Sequence, residues 1–411
     1  MPPEKQKPIL SVIFSRRMLV ALIMGFACGL PLLLTITVLQ AWMKEEGVDL
    51  TVIGMMALVG LPYTCKFLWS PFLDRFTLPF FGRRRGWLLI AQLALICSIA
   101  GLGFTDPGNN PWVVALAAVL VTFFSASQDI VVDAYRREDL PDEELGLGSS
   151  LYVSGYRVGM LLASGGGLIM ADHIPFSMVY LIMAGCLLPG VCTTLLAPEP
   201  VVAGGTPRTI KEAVLYPMAE YFSRPDALWI LAFILFYKIG DTMASAITIP
   251  FYLDIGFTKT EIGAVVKLFG FWATIVGSLI GGLLMLRLKI NQSLWVFGFL
   301  QAISTFGFAV LARVGHNVSA LSAVIAFENI SSGMGTAAYL AFMASITNKK
   351  FTATQYALLS SLMGVPRVIV SAPTGYFAKI MGWESFFIFC TLIAIPGMLL
   401  LLRVVRWKSK N

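Results

Sequence analysis

The chain has 411 residues, 57% of them hydrophobic and only 13% charged, with a mean hydropathy of +0.79 and a net charge of +7. One soluble core cannot hide that much apolar surface, so a soluble globule is excluded and an all-α polytopic membrane protein is expected. The basic residues form no stripe or run but sit in short loops between apolar spans, which argues for membrane topology and against a nucleic-acid partner.

Apolar runs of about 20 residues, enough to cross a bilayer as a helix, fall at 17–43, 50–73, 86–106, 111–136, 146–170, 175–197, 225–253, 259–286, 291–313, 317–346, 353–378 and 382–406. Of the 30 Lys and Arg, 21 lie in segments on the same side as the N-terminus and 4 on the opposite side. Lys and Arg accumulate in cytoplasmic loops, so both termini are expected inside. The six cysteines lie in apolar runs without metal-type spacing and read as small core residues.

In chain order, the first span offers Thr37 and Gln40, and the second offers Tyr63 and Lys66 on one face. These groups either line a cavity or make ordinary interhelical polar contacts. The following loop, WSPFLDRFTLPFFGRRRGW, carries Asp74, Arg75, Arg83, Arg84 and Arg85. In the fourth span, TFFSASQDIVVDAYRR places Thr122, Ser125, Asp129 and Asp133 at steps of three and four along one helical face, with Gln128 at its border. An ionised carboxylate in hydrocarbon costs at least about 2.5–3.5 kcal/mol, so Asp129 needs a partner, a wet cavity or a proton. Counted back from the span ends at about 1.5 Å per residue, Lys66 and Asp129 lie at equal depth, about 12 Å in, and are expected to pair. Asp133, one turn nearer the loop, reads either as a solvated helix end or as a gating residue.

Tyr156 and Arg157 in the fifth span and Arg367 in the eleventh put guanidinium forks near the midplane, suited to carboxylates of an anionic or peptidic cargo. A Pro-, Gly- and charge-rich stretch follows the sixth span, giving an N-terminal bundle at 1–198, a linker at 199–224 and a C-terminal bundle at 225–411. In the seventh span YKIGD sets Lys238 and Asp241 at i,i+3, close enough to bridge each other. In the tenth, ENISSGMG offers Glu328 as a second proton carrier and Asn329 as a hydrogen-bonding wall residue, with Lys267 of the eighth span at similar depth.

The halves also match in sequence. EEGVDLTVIG at 45–54 aligns with DIGFTKTEIG at 254–263, superposing Gly47 on Gly256, and GYRVGMLLASGG around Arg157 aligns with VPRVIVSAPTGY around Arg367. Two parallel six-helix repeats joined by a linker are the plan of the major facilitator superfamily. Nothing points to an enzyme: His173 and His316 fall in loops, and there is no HExxH, GxSxG or phosphate-cradling loop.

The segments GFACGLPLLL, LQAWM, KFLWSPFLDR, PFFGRRRGWLL, SASQDIVVDA, GYRVGML, LLAPEP, YKIGD, ATIVG, FEN with GMGT, and FTATQYALLSSL run almost from end to end. Together they resemble the AmpG family of muropeptide permeases within the major facilitator superfamily. The resemblance implies twelve transmembrane helices in two pseudo-symmetric bundles. It also implies uptake of N-acetylglucosaminyl-1,6-anhydro-N-acetylmuramyl peptides through the inner membrane of a Gram-negative bacterium, for peptidoglycan recycling and the induction of β-lactamase. The proton gradient would drive uptake, with no metal or other cofactor, by a monomer whose partners are the small-molecule anhydromuropeptide, protons and the lipid bilayer. Asp129, Glu328 and Asp241 are then the expected proton carriers. Gln40, Tyr63, Lys66, Gln128, Tyr156, Arg157, Lys238, Asn329 and Arg367 are the expected substrate-binding residues. Asp74, Arg75, Arg83, Arg84, Arg85 and Asp133 are the expected gate, since the loop between the second and third spans locks one state in that superfamily. Another cargo, acyl-CoA-like or peptidic, or a flippase or membrane acyltransferase, are the alternatives. The acyltransferase requires an intramembrane His, which the sequence lacks.

Overall fold

The computed structural model describes residues 12–48, 50–79, 81–200, 209–258, 261–370 and 373–408, and among these there is no strand. The helices are α1 (Arg16–Glu45), α2 (residues 50–75), α3 (Arg83–Gly103), α4 (Pro111–Asp139), α5 (residues 145–171), α6 (Phe176–Leu196), α7 (Ile210–Phe222), α8 (Ala227–Asp254), α9 (Ile262–Met285), α10 (Ile290–Val314), α11 (Val318–Ile346), α12 (Thr352–Ile369), α13 (Thr374–Met381) and α14 (Trp383–Lys408). Eight of them, α1, α3, α4, α6, α8, α9, α10 and the first part of α14, are long and apolar enough to cross a membrane.

The second expected span is not one helix. Residues 50–75 form three short α-helices joined by two 3₁₀ turns, Met56–Gly60 and Lys66–Leu68. Pro62 and Pro71 each open a short helix, because a ring without an N–H suits a first turn and cannot continue an existing one. The eleventh expected span likewise divides into α12 and α13, with Pro373 capping α13. α12 runs through Pro366 to Ile369. Within the segment expected as a linker, Ile210–Phe222 form helix α7, and residues 201–208 lie outside the described residues.

The chain forms two compact units: Met1–Val214 with Thr347–Ala357, and Leu215–Ile346 with Leu358–Asn411. In the first, α3 packs on α4 and α6, and α1 packs on α5. In the second, α10 packs on α11 and α14, and α9 on α11. Without a hydrophobic force between helices in lipid, association depends on close packing of small residues. Gly155 of α5 lies where an added Cβ would fall 2.0 Å from the Leu22 carbonyl oxygen, so α1 and α5 touch backbone to backbone. The first core includes Leu30, Leu34, Ile99 and Tyr180, with Trp42 stacked on Phe176 at 5.5 Å. The second is aromatic, built on Phe251, Phe308, Phe386 and Phe387.

The repeat read in the sequence is built as the same turn twice. Gly47 has φ +73° and Gly256 φ +96°, the left-handed region where an L side chain is strained. Beside them the Val48 N–H reaches the Met43 carbonyl at 3.0 Å, and the Phe257 N–H reaches that of Tyr252 at 3.0 Å. Each closes its helix with the six-to-one bond of a Schellman cap.

Candidate functional site

Three polar clusters lie inside the units. The first occupies the end of α2, the start of α3 and the end of α4. Arg84, 1% exposed, donates from Nη2 to Asp74 at 2.8 Å and to Glu138 at 2.6 Å, and from Nε to Glu138 at 3.0 Å. Arg83 adds a bond to Glu138 at 2.9 Å. Two guanidinium and two carboxylate groups cancel in charge, which is the condition for keeping them dry. The other oxygen of Asp74 accepts from the backbone N–H of Thr354 at 2.8 Å and from its hydroxyl at 2.7 Å. Thr354 lies in the first turn of α12, where unpaired N–H groups favour an anion. Glu199 does the same for α3, accepting from the Arg84 and Arg85 backbone N–H groups at 2.7 and 3.0 Å.

The expected gate is therefore divided. Asp74, Arg83 and Arg84 are joined, whereas Arg85 turns to the carbonyls of Thr194 and Leu195 at the end of α6, at 2.9 and 2.6 Å. Arg75 stands apart over the Phe76 ring, 5.2 Å from its centroid. Sequence reasoning misses Glu138, Glu199 and Thr354. Glu138 directly follows Arg136 and Arg137, and an acid beside a basic pair is the signal that could have found it.

The second cluster lies deeper on α4, and it corrects two expectations. Lys66 Nζ is 3.9 Å from Oδ2 of Asp133, so its ion-pair partner is Asp133 and not Asp129. Equal depth assumes a straight helix at about 1.5 Å per residue. The 3₁₀ turn at Lys66–Leu68 breaks that register, so the ammonium meets the carboxyl one turn further along α4. Nor is Asp133 a solvated helix end, because it is 5% exposed and also accepts from Arg136 Nη2 at 3.1 Å. Arg136 donates further to Ser149 at 3.2 Å and to the Tyr356 hydroxyl at 2.9 Å, and its guanidinium lies 4.5 Å over the Tyr152 ring. Asp129, 7% exposed, keeps one oxygen, Oδ1, with no hydrogen bond. A buried carboxyl oxygen without a donor is the least satisfied acidic group of the cluster. Tyr63 donates to Ser125 at 2.9 Å, and Thr122 to the Val59 carbonyl at 2.7 Å, so the polar face of α4 holds the broken α2 in place. Gln128 is fully buried and donates to Cys28 Sγ at 3.4 Å.

The third cluster belongs to the second unit. Lys238 Nζ is 3.6 Å from Asp241 and donates to Thr336 at 2.7 Å. Glu328 accepts from the Ser304 hydroxyl at 2.6 Å. The expected neighbour Lys267 is instead exposed, on the π-helical start of α9, where the wider turn redirects its side chain. Asn329 accepts from Thr274 at 2.8 Å and donates to the Ile325 carbonyl at 2.9 Å. Gln40 and Tyr156 are half-buried, as is Arg157, which is engaged by its neighbours. Arg367 is placed on α12 by its backbone, and its side chain lies outside the described residues.

A sequence model of the Major Facilitator Superfamily matches residues 17–371. The chain is 46% identical over 389 residues, 94% of its length and 79% of the relative's, to the anhydromuropeptide permease of Escherichia coli K12. It is 41% identical to an uncharacterized protein of Haemophilus influenzae over 98% of its own length and 97% of that protein's. Among solved structures, the proton:xylose symporter XylE aligns with a TM-score of 0.71 at 12% identity over 96% of each chain, a likeness of fold. The chain is therefore a multi-pass membrane transporter of the Major Facilitator Superfamily, in the family of the E. coli anhydromuropeptide permease.

Proposed function

We propose that the protein imports N-acetylglucosaminyl-1,6-anhydro-N-acetylmuramyl peptides from periplasm to cytoplasm across the inner membrane of a Gram-negative bacterium, by alternating access driven by the proton gradient. The observation that carries this reading is the 46% identity spread over 94% of the chain, not confined to one motif. Twelve spans, both termini in the cytoplasm and a monomeric carrier complete the proposal. The imported fragments feed peptidoglycan recycling and, through it, β-lactamase induction.

The side-chain chemistry on these helices suits such a cargo. Sugar hydroxyls need neutral hydrogen-bonding groups, for which Gln40, Tyr63, Gln128, Tyr156 and Asn329 are the candidates. Peptide carboxylates need cations, for which Lys66, Arg157, Lys238 and Arg367 are the candidates. Asp129, Asp241 and Glu328 are the candidate proton carriers. Asp129 is favoured in the first unit because nothing donates to its Oδ1, so a proton there meets no competing donor. Asp74 with Arg83 and Arg84 forms the gate, holding Thr354 at the start of α12, and Asp133 keeps Lys66 and Arg136 in register beside it.

The test is complementation. In a strain lacking its own permease, expression of this chain restores accumulation of labelled anhydromuropeptide, and a protonophore abolishes it. Accumulation no higher than in the empty-vector strain, with the protein present in the membrane, sinks the cargo assignment.

A further inference from the structure

Lys66, Lys238 and Arg157, cations of the expected spans, are each engaged by neighbours: Lys66 meets Asp133, Lys238 meets Asp241 and Thr336, and Arg157 is held by groups around it. Lys267 is different. It lies five residues beyond Ile262, the start of α9, and so at most about 7.5 Å into an apolar span. It is exposed, and among the described residues it makes no ion pair or hydrogen bond.

Two faces of α9 are open. Leu268, Trp272, Val276, Ile280 and Leu284, at steps of four, are all exposed and form an unbroken apolar stripe, the surface such a helix turns to lipid. Gly263, Lys267 and Phe271, also at steps of four, form a second face beside it. This one is exposed at Gly263 and Lys267, half-buried at Phe271, and ends on Thr274, which is buried and donates to Asn329 of α11 at 2.8 Å. An added Cβ at Gly263 would meet nothing within 4 Å, so the face is open where the ammonium lies and closes only where it reaches Asn329. The turn that separates the faces is itself unusual. Helices with i→i+5 bonds occur mostly as single turns, frequently at functional sites, whereas here one runs through Ile262–Phe269 and carries Lys267 onto the second face. An unpaired ammonium is costly against hydrocarbon and is retained where it meets water and an anion.

We propose that Lys267 binds a peptide carboxylate of the cargo and thereby sets the preference for anionic, peptide-bearing fragments over neutral ones. The inference rests on the transport reading above and deepens it by naming the residue that receives the anionic end of the cargo. The Lys267 ammonium brings three donors to a group that only accepts, and binding displaces no partner within the protein. Asn329, half-buried at the closed end of the same face, is then placed for the neutral part of the cargo.

The concentration dependence of uptake by proteoliposomes, measured with anhydromuropeptide and with the same compound carrying carboxamides in place of its peptide carboxylates, tests the proposal. Lys267→Gln should raise KM for the native cargo by about tenfold at an unchanged maximal rate, the loss of one hydrogen bond to a charged group. Lys267→Arg should recover most of that loss, and Lys267→Gln and wild type should handle the amidated cargo alike. Because Lys267 makes no bond within the fold, Lys267→Gln should melt with wild type. As a second measurement, Lys267→Cys, in a background without the six native cysteines, should be labelled by a membrane-impermeant maleimide and protected by native cargo, whereas Val276→Cys on the apolar stripe should stay unlabelled. No labelling of Lys267→Cys, which would place the ammonium among lipid headgroups, labelling indifferent to cargo, or an equal rise in KM for both compounds overturns the proposal. If the wild-type protein moves no anhydromuropeptide, the transport reading fails and the proposal with it; if it does, and Lys267→Gln matches wild type on both compounds, the proposal alone fails.

Discussion

Asp74→Asn tests the gate. In the native protein one Asp74 oxygen accepts from Arg84 and Arg83 while the other accepts two bonds from Thr354, at 2.8 and 2.7 Å. An amide has one oxygen, and its NH2 can accept from neither partner. Arg84 is 1% exposed and still needs its acceptor, so the amide oxygen stays with Arg84 and the NH2 is turned toward Thr354. Two hydrogen bonds to a charged acceptor are lost, at about 1.5–3 kcal/mol each before relaxation, and a net change of about 3 kcal/mol corresponds to roughly a hundredfold in the equilibrium. Residues 347–357, which belong to the first unit, should therefore leave it far more often. Ala353 is fully buried beside this latch, so a cysteine placed there, in a background without the six native cysteines, reports its release. Labelling of that cysteine by a membrane-impermeant maleimide in open membranes should accelerate by one to two orders of magnitude in Asp74→Asn. An unchanged labelling rate refutes the latch.

Asp133→Asn removes one end of a buried ion pair and leaves Lys66 facing an amide, so its melting temperature falls by the equivalent of about 3–5 kcal/mol. Asp129→Asn, which disturbs no bond at Oδ1, melts near wild type yet loses gradient-driven uptake, and the opposite ranking contradicts the roles given to these acids. Gly155→Val drives methyl groups into the α1 backbone and abolishes folded protein on size-exclusion chromatography, whereas Gly101→Ala, which meets nothing within 4 Å, is tolerated. Ahead of α9, the Thr258 backbone N–H, His316 and the Thr258 hydroxyl hold the Glu261 carboxyl below the usual glutamate range. A depressed carboxyl pKa stabilises the fold above the unfolded value of about 4.3 and that stability is lost as pH falls through the lower folded value. Wild type should therefore melt above Glu261→Gln at neutral pH, and the two should converge as pH falls below about 4; a gap that stays constant on acidification contradicts this.

Much of this fold is written in local chemistry. Apolar length locates the helices, and the paired Gly47 and Gly256 announce two copies of one plan, because a turn needing positive φ leaves a glycine in each copy. Thr258 and Glu261 exchange bonds as a capping box that TKTE already spells out at the start of α9. The site is legible in its residue types and less so in its pairings. Depth counted along a straight second span matches Lys66 to the wrong aspartate, because Pro62 and Pro71 interrupt that helix. Glu138 and Thr354 escape notice because their partners lie 54 to 280 residues away, beyond any local periodicity. Lys238 is visible as an intramembrane cation, but its bond to Thr336 across α8 and α11 follows from helix packing that no window of sequence encodes.

Uptake of labelled anhydromuropeptide by proteoliposomes containing only this protein, with and without an imposed pH gradient, tests the account most directly. Accumulation above equilibrium should appear only with the gradient acid on the uptake side, and the intact disaccharide peptide should compete where free peptide competes weakly. Equal uptake with and without the gradient would contradict proton coupling, and stronger competition by free peptide would contradict the cargo.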